Sequence, residues 1–163
     1  MDKNLVWFEK LYDSHADAIW RHLYLKLGDR ERAKELMHDV FLKTWQYVML
    51  GKTITYEKAF LYRIAHNLFV NEIRTDKKTV SLTPLEEAGY EIKDESVHTE
   101  AHALHKELLD HLAMIQPVYR DVLIMRYVDD LPVKEIARIL DENETTISMR
   151  IARGKEALKQ TYT

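Results

Sequence analysis

The chain has 163 residues, of which 46% are apolar, and it contains no cysteine. This length allows one or two small domains with packed cores, and the lack of cysteine excludes disulfides, iron–sulfur clusters and cysteine-based zinc sites. No apolar run reaches the roughly 18 residues of a transmembrane helix. Acidic residues occupy the N-terminus, where a signal peptide would be basic and then apolar. We therefore expect a soluble protein of the cytoplasm, without membrane insertion.

The formal net charge of -3 is unevenly distributed. Residues 1–76 carry 12 basic and 11 acidic side chains, residues 77–98 carry 3 and 5, and residues 99–163 carry 9 and 11, so the nets are +1, -2 and -2. Neutralisation of phosphates drives non-specific affinity for nucleic acid. A chain this weakly basic is not expected to bind DNA tightly by itself, so a DNA-binding role would need a partner.

Helical periodicity runs through the first part of the chain. Apolar positions recur every three or four residues over 5–27, Gly28 and Asp29 end this helix, and a second helix is predicted over 30–50. The second helix presents a mixed-charge outer face, formed by Glu35, His38, Asp39, Lys43 and Gln46. Without further context, such a face is interpreted as a solvated surface.

A third helix is predicted over residues 57–74, after a loop that begins at Gly51. Opposite its apolar face lie aromatic, amide and basic side chains, namely Tyr62, Arg63, His66, Asn67, Asn71 and Arg74. This combination suits stacking on unpaired bases and binding of a phosphate backbone. An ordinary polar helix face is the alternative interpretation, and this helix alone does not decide between them.

Residues 77–98 show no sustained periodicity and contain Pro84, Gly89 and five acidic side chains. They are predicted to form a flexible or extended linker. The predicted fold class is therefore all-α, with two small helical domains, residues 1–76 and 99–163, on either side of this linker.

The second domain is predicted to begin with helices over 99–115 and 118–128. From residue 133 to 159 the apolar positions change phase across a polar break, as in a helix-turn-helix. Asn143 suits the N-cap of the second helix of this pair, and the small side chain of Ala137 allows the two helices to approach closely.

The outward side chains of the last helix can hydrogen-bond base edges or neutralise phosphates in a major groove. They are Thr145, Ser148, Met149, Arg150, Arg153 and Lys155. The alternative is a common amphipathic helix pair with a solvated basic face.

Four histidines, His98, His102, His105 and His111, have spacings that would place imidazoles on one helical face. No carboxylate or cysteine completes a ligand set, so we predict a solvated face, with no metal and no cofactor. The sequence also has no glycine-rich phosphate loop, no thiol and no paired-carboxylate motif with an identifiable task. We therefore do not predict an enzyme.

Four segments, in their order and spacing, resemble bacterial RNA polymerase sigma factors of the sigma-70 superfamily, in the small two-domain extracytoplasmic-function (group IV) form. Residues 8–45 resemble the start of region 2, and residues 59–74, AFLYRIAHNLFVNEIR, resemble the promoter-melting helix. Residues 115–140 resemble the start of region 4, and residues 142–159, ENETTISMRIARGKEALK, resemble its recognition helix. The resemblance covers nearly the whole chain except the linker.

The resemblance implies a transcription initiation factor that binds core RNA polymerase, through the beta-prime coiled coil and the beta flap, and directs it to specific promoters. It implies polymerase binding by Glu35, His38, Asp39, Leu42 and Lys43. It implies contact with the non-template strand of the minus-ten element by Phe60, Tyr62, Arg63, His66, Asn67, Asn71 and Arg74. It implies contact with the minus-thirty-five element by Thr145, Ser148, Met149, Arg150, Arg153 and Lys155. An anti-sigma factor is a further partner expected from the family.

Some positions depart from the family pattern. Phe60 stands where Trp is common, Asp141 where a turn glycine is frequent, and Glu142 where an apolar turn residue is common. Gly154 interrupts the recognition helix, at a cost of about 1 kcal/mol relative to Ala. Two alternative hypotheses stay open: a stand-alone helix-turn-helix regulator of the LuxR-like kind, and a sigma mimic that binds a regulator instead of DNA.

Overall fold

A computed structural model describes residues 2–79 and 100–163, with side chains described for 2–75 and 106–163. The described residues form helices joined by short loops and contain no strand, so the predicted all-α class is confirmed for them. The chain divides into two compact units, Met1–Leu82 and Thr83–Thr163. None of the described helices is long and apolar enough to cross a membrane.

The first unit consists of three helices, α1 (Lys3–Leu27), α2 (Arg30–Met49) and α3 (Glu57–Thr79). Their ends follow from local chemistry. Gly28 adopts the left-handed conformation at φ 71°, which ends α1. The Asp29 side chain then accepts hydrogen bonds from the backbone N–H groups of Glu31 and Arg32, which caps α2. The predicted boundary between these two helices is therefore confirmed.

α3 is longer than the sequence predicts. It continues to Thr79, so residues 77–79, which were predicted to belong to the linker, are helical. No Pro or Gly occurs between Arg74 and Thr79 to stop the helix, and the change in hydrophobic pattern alone does not end it. The remaining part of the predicted linker lies outside the described residues.

Aromatic side chains fill much of the core of the first unit. Phe8 of α1 makes edge-to-face contacts with Phe41 and Trp45 of α2, at ring-centroid distances of 6.2 and 5.1 Å. On the α3 side, the Lys26 ammonium lies 4.5 Å from the centre of the Phe69 ring. Such pairs add orientation to the apolar burial that holds the three helices together.

The second unit contains α4 (Glu100–Met114), α5 (Pro117–Leu123), α6 (Val133–Leu140) and α7 (Glu144–Gln160). The helix predicted over 118–128 changes form within its length, because Ile124–Val128 is a π-helical turn. The Asp129 N–H donates to the Ile124 carbonyl at 3.0 Å, which is the i to i+5 bond of that form.

The predicted helix-turn-helix is present. Asp141 adopts the left-handed conformation at φ 55°, and its N–H donates to the Ala137 carbonyl, which ends α6. The Asn143 side chain caps α7 by accepting from the Thr146 N–H at 2.7 Å. Ala137 is buried between the helices. Asp therefore replaces the usual turn glycine without loss of the turn.

Gly154 lies where α7 packs closely against α5. A Cβ atom at this position would lie 3.1 Å from Leu123 Cγ and 3.3 Å from Tyr119 Cβ. The sequence indicates only the helix-propensity cost of this glycine, whereas the structure shows that it allows the close approach of the two helices.

Candidate nucleic-acid and polymerase interfaces

The outer face of α2 presents all the residues predicted to bind polymerase. We call this set, which consists of Glu35, His38, Asp39, Leu42 and Lys43, the docking face; all five residues are exposed. Leu42 stands out because 54% of its surface is exposed although it is apolar. The opposite side of α2 is buried in the core, so these five side chains point away from it.

The outer face of α3 carries a stripe of amide and basic side chains. We call the stripe of Arg63, Asn67, Asn71 and Arg74 the α3 face; each of its residues is exposed. The intervals of three and four residues place these side chains one above another along the helix. Amide groups that both donate and accept hydrogen bonds thus lie between two guanidinium groups.

Tyr62 was predicted to share this face, and that prediction is wrong. Tyr62 is only 1% exposed, and its ring meets that of His22 edge to face at 5.1 Å. It follows the buried Leu61 directly and precedes the buried Ala65 by three positions, so it lies on the core side of α3. It cannot contact DNA in this conformation.

Phe60 and His66 are half-buried at the border of the α3 face. The Phe60 ring packs against Tyr47 of α2, with a centroid distance of 4.8 Å. Lys52, in the loop before α3, places its ammonium 5.2 Å from the centre of the Tyr47 ring. One edge of Phe60 is therefore held by α2, and only its remaining surface is available to a ligand.

An ion network that the sequence did not reveal connects α2 with α3. The Arg32 guanidinium donates through Nε and Nη2 to both carboxylate oxygens of Glu72, and through Nη1 to Glu35. The hydrogen bonds with Glu72 raise the pKa of Arg32 above its usual range. Arg32 and Glu72 are 40 positions apart, so neither helical spacing nor composition signals the pair.

The outward residues of α7 form the third candidate face. We call the set of Thr145, Ser148, Met149, Arg150, Arg153 and Lys155 the α7 face; Arg150 is half-buried and the others are exposed. Arg150 donates to a Glu142 carboxylate oxygen at 2.9 Å, within the turn before α7. The Lys155 ammonium lies 5.1 Å from the centre of the exposed Tyr127 ring.

An open cleft of about 550 Å³ adjoins the α7 face. Ser148 and Lys155 of that face line it, together with Lys159 further along the helix and Arg126 from the π-helical turn. Glu156 is the one acidic side chain in its lining. A cleft beside α7 with three cations and one acid in its lining suits an anionic group such as a phosphate.

Among the described side chains, no group of three possible metal ligands occurs. His111 instead stacks on Tyr162 at a centroid distance of 3.6 Å, and its Nδ1 lies 2.8 Å from the Thr161 hydroxyl. It thus joins α4 to the end of the chain. His98 and the side chains of His102 and His105 lie outside the description.

Comparison with known families and proteins matches both halves of the chain. The family model for Sigma-70 region 2 matches residues 11–79, and that for Sigma-70, region 4, matches residues 105–158. The chain is 27% identical over 154 residues to the ECF RNA polymerase sigma factor SigL of Mycobacterium tuberculosis, covering 93% of this chain and 86% of SigL. It is 29% identical over 164 residues to SigW of Bacillus subtilis, covering 94% and 87%.

Among solved structures, the sigma factor RpoE in its complex with the anti-sigma factor NepR from Bartonella quintana has a similar fold. The TM-score is 0.71 at 17% identity, and the match covers 94% of each chain. The two sigma-70 regions are matched in order, and the relatives are ECF sigma factors over nearly their whole length. The chain therefore belongs to the ECF group of the sigma-70 family of bacterial RNA polymerase sigma factors.

Proposed function

We propose that this sigma factor binds core RNA polymerase through the docking face and holds promoter DNA at two points. The α3 face contacts the minus-ten element and the α7 face contacts the minus-thirty-five element. The observation that carries the proposal is the exposed amide and guanidinium stripe on α3, in the same unit as the docking face. A stand-alone duplex reader has no use for such a stripe.

On α3, the side chains of Asn67 and Asn71 suit the edges of unpaired bases, because an amide both donates and accepts hydrogen bonds. Arg63 and Arg74, at the ends of the stripe, suit the phosphates of the same strand. A face that binds the separated strand and not the duplex shifts the equilibrium towards strand separation by the difference between the two binding free energies. The protein opens DNA in this way without catalysing bond chemistry.

On α7, the side chains near the helix N-terminus, Thr145, Ser148 and Met149, suit base edges in the major groove. Arg153 and Lys155 follow on the same helix and suit the neighbouring phosphates, as does the basic cleft. The net charge is -3 and the basic surface is local, so the DNA contacts alone provide little affinity. Binding to polymerase supplies the remaining affinity for the promoter.

The partners are core RNA polymerase, through its beta-prime coiled coil and its beta flap, and promoter DNA. Polymerase is a cytoplasmic enzyme, so we place the protein in the cytoplasm. RpoE of Bartonella quintana forms a complex with the anti-sigma factor NepR. We infer that an anti-sigma factor also controls this protein, by covering the same faces.

The test is transcription in a purified system. The full-length protein is added to core polymerase and a library of promoter fragments, and the transcripts are sequenced. We expect start sites that depend on the added protein and that share two upstream sequence elements. Transcripts without specific start sites, combined with tight duplex binding by the free protein, would instead establish the stand-alone regulator.

A further inference from the structure

Residues 70–75 of α3 contribute little apolar packing, with Ile73 only half-buried. Among the α3 residues whose side chains are described, the buried ones are Leu61, Tyr62, Ala65 and Phe69. Beyond Phe69, no described side chain of the helix is buried, although this part carries Asn71 and Arg74. The geometry of half the α3 face therefore depends on contacts other than the core.

The principal polar contact in this part of α3 is the bidentate pair of Arg32 and Glu72. The Glu72 side chain is 16% exposed and that of Arg32 is 37% exposed, so the pair is partly shielded from water. A planar guanidinium that meets both carboxylate oxygens fixes direction as well as distance, which a single ion pair does not. Glu72 directly follows Asn71, so fixing Glu72 against α2 also fixes the rotation of α3 at Asn71.

The same guanidinium reaches the docking face. Its third donor, Nη1, bonds to Glu35, whose side chain is 62% exposed. One side chain of α2 therefore touches both a polymerase-facing carboxylate and the carboxylate that holds the DNA-facing half of α3. Resting on the proposed function, we propose that Arg32 and Glu72 are positioning residues, which hold Asn71 and Arg74 where unpaired minus-ten bases bind once α2 is docked on polymerase.

The experiment uses the full-length protein in complex with core polymerase. The probe is a fluorescent oligonucleotide with the non-template minus-ten strand of a promoter found in the transcription experiment. We expect Arg32→Gln and Glu72→Gln each to weaken oligonucleotide binding by about tenfold, the loss expected for one charge-assisted interaction. Binding to core polymerase stays within about twofold, because the docking face keeps its five residues.

Three further variants make the result specific. Lys34→Gln removes one exposed positive charge two positions along the same helix, and it should leave oligonucleotide binding unchanged. Arg32→Lys keeps the charge without the bidentate geometry and should lose about threefold. The exchange Arg32→Glu with Glu72→Arg restores an ion pair and should recover part of the loss, because the new acid at position 32 lies beside Glu35. A net-charge effect is excluded by the two single variants, since Arg32→Gln and Glu72→Gln change the net charge in opposite directions but should weaken binding alike.

A purely stabilising pair would give a different pattern. In that case the variants would lower the melting temperature but bind the oligonucleotide as the wild type does at temperatures well below melting, and the inference would be wrong. It would also be wrong if polymerase binding fell as much as oligonucleotide binding. Hydrogen exchange gives a second measure, since Arg32→Gln should accelerate exchange in residues 70–79 and leave α1 unchanged. Failure of the wild-type complex to initiate transcription would count against the proposed function instead.

Discussion

The α3 face and the α7 face both look outwards from a helix, but their charged side chains are held differently. On α7, Arg150 is paired with Glu142 and Lys155 lies over Tyr127, so partners within the same unit orient these cations before DNA arrives. On α3, Arg63 and Arg74 are exposed at the ends of the stripe, and the ion network acts on Glu72, behind it.

This difference agrees with our proposal that the α7 face binds duplex DNA and the α3 face binds a separated strand. A duplex groove has a fixed shape, and oriented side chains lose little further conformational freedom on entering it. A separated strand is flexible, so its bases can adjust to exposed amides on a rigid helix. Preorganisation on α7 thus concerns side chains, whereas on α3 it concerns the orientation of the helix.

The largest expected effect is the loss of DNA contact by the α3 face and the α7 face together. Asp39→Arg reverses a charge in the docking face, and like charges at an interface cost enough to weaken polymerase binding on the order of 100-fold. Titration of labelled protein with core polymerase measures this loss. Promoter opening should fall in parallel, because neither face reaches DNA without docking. Normal polymerase binding by this variant would contradict the assigned docking face.

A smaller effect separates the two faces. Asn67→Ala removes one amide from the α3 face and should slow promoter opening by about tenfold, the loss expected for a hydrogen-bonded base contact. Permanganate reactivity of unpaired thymines measures the opening. Polymerase binding and protection of the minus-thirty-five element should match the wild type. If Asn67→Ala and Asp39→Arg showed the same defects, the two faces would not be separate.

Glu142→Gln tests the ion pair between Glu142 and Arg150 of the α7 face. Without the carboxylate, Arg150 loses this orientation but becomes available to a phosphate. The gained phosphate contact should outweigh the lost orientation, so we expect the polymerase complex to bind the minus-thirty-five duplex about threefold more tightly. The dependence on salt should steepen by about 0.9 in log–log slope, the value for one more phosphate contact. Fluorescence anisotropy over a salt series measures both. Glu144→Gln removes a nearby acid that makes no such pair, and an equal gain there would show a general charge effect.

The smallest expected effect is on the pH dependence of the stability of the first unit. Burial lowers the pKa of His15 below its ordinary 6.5, with Lys58 adding to the shift and Glu57 opposing it. The unfolded chain therefore takes up a proton at higher pH than the folded unit does, and stability falls as pH decreases through this range. From about pH 7.5 to about pH 5.5, the melting temperature should fall more in the wild type than in His15→Gln. An equal fall in the melting temperature of both proteins would rule out a contribution of His15 to this pH dependence.

Features fixed by neighbours in sequence were predictable. The cap at Asn143, the helix end at Gly28 and the turn at Asp141 each depend on a side chain or a backbone preference within a few residues, and all three occur. The exposure of Glu35, His38, Asp39 and Lys43 was predictable from the helical spacing of the apolar residues of α2, whereas their binding to polymerase stays a prediction.

Features fixed by distant contacts were not predictable. Tyr62 was assigned outwards because periodicity gives the direction of an apolar face but not its width, and on α3 both Leu61 and Tyr62 are buried. The pairing of Arg32 with Glu72 and the contact of Gly154 with Leu123 each join residues from different helices. Neither pair leaves a local pattern in the sequence.

The close contact at Gly154 bears on how promoter preference could be changed. With no Cβ between α7 and Leu123, α7 has little room to tilt or slide against its support. If α7 reads the minus-thirty-five element as we propose, a new sequence would have to be specified by exchanging outward side chains such as Thr145 and Ser148, on a helix whose axis stays in place. Such exchanges leave the supporting helices untouched, so this unit is a suitable platform for sigma factors with altered promoter choice.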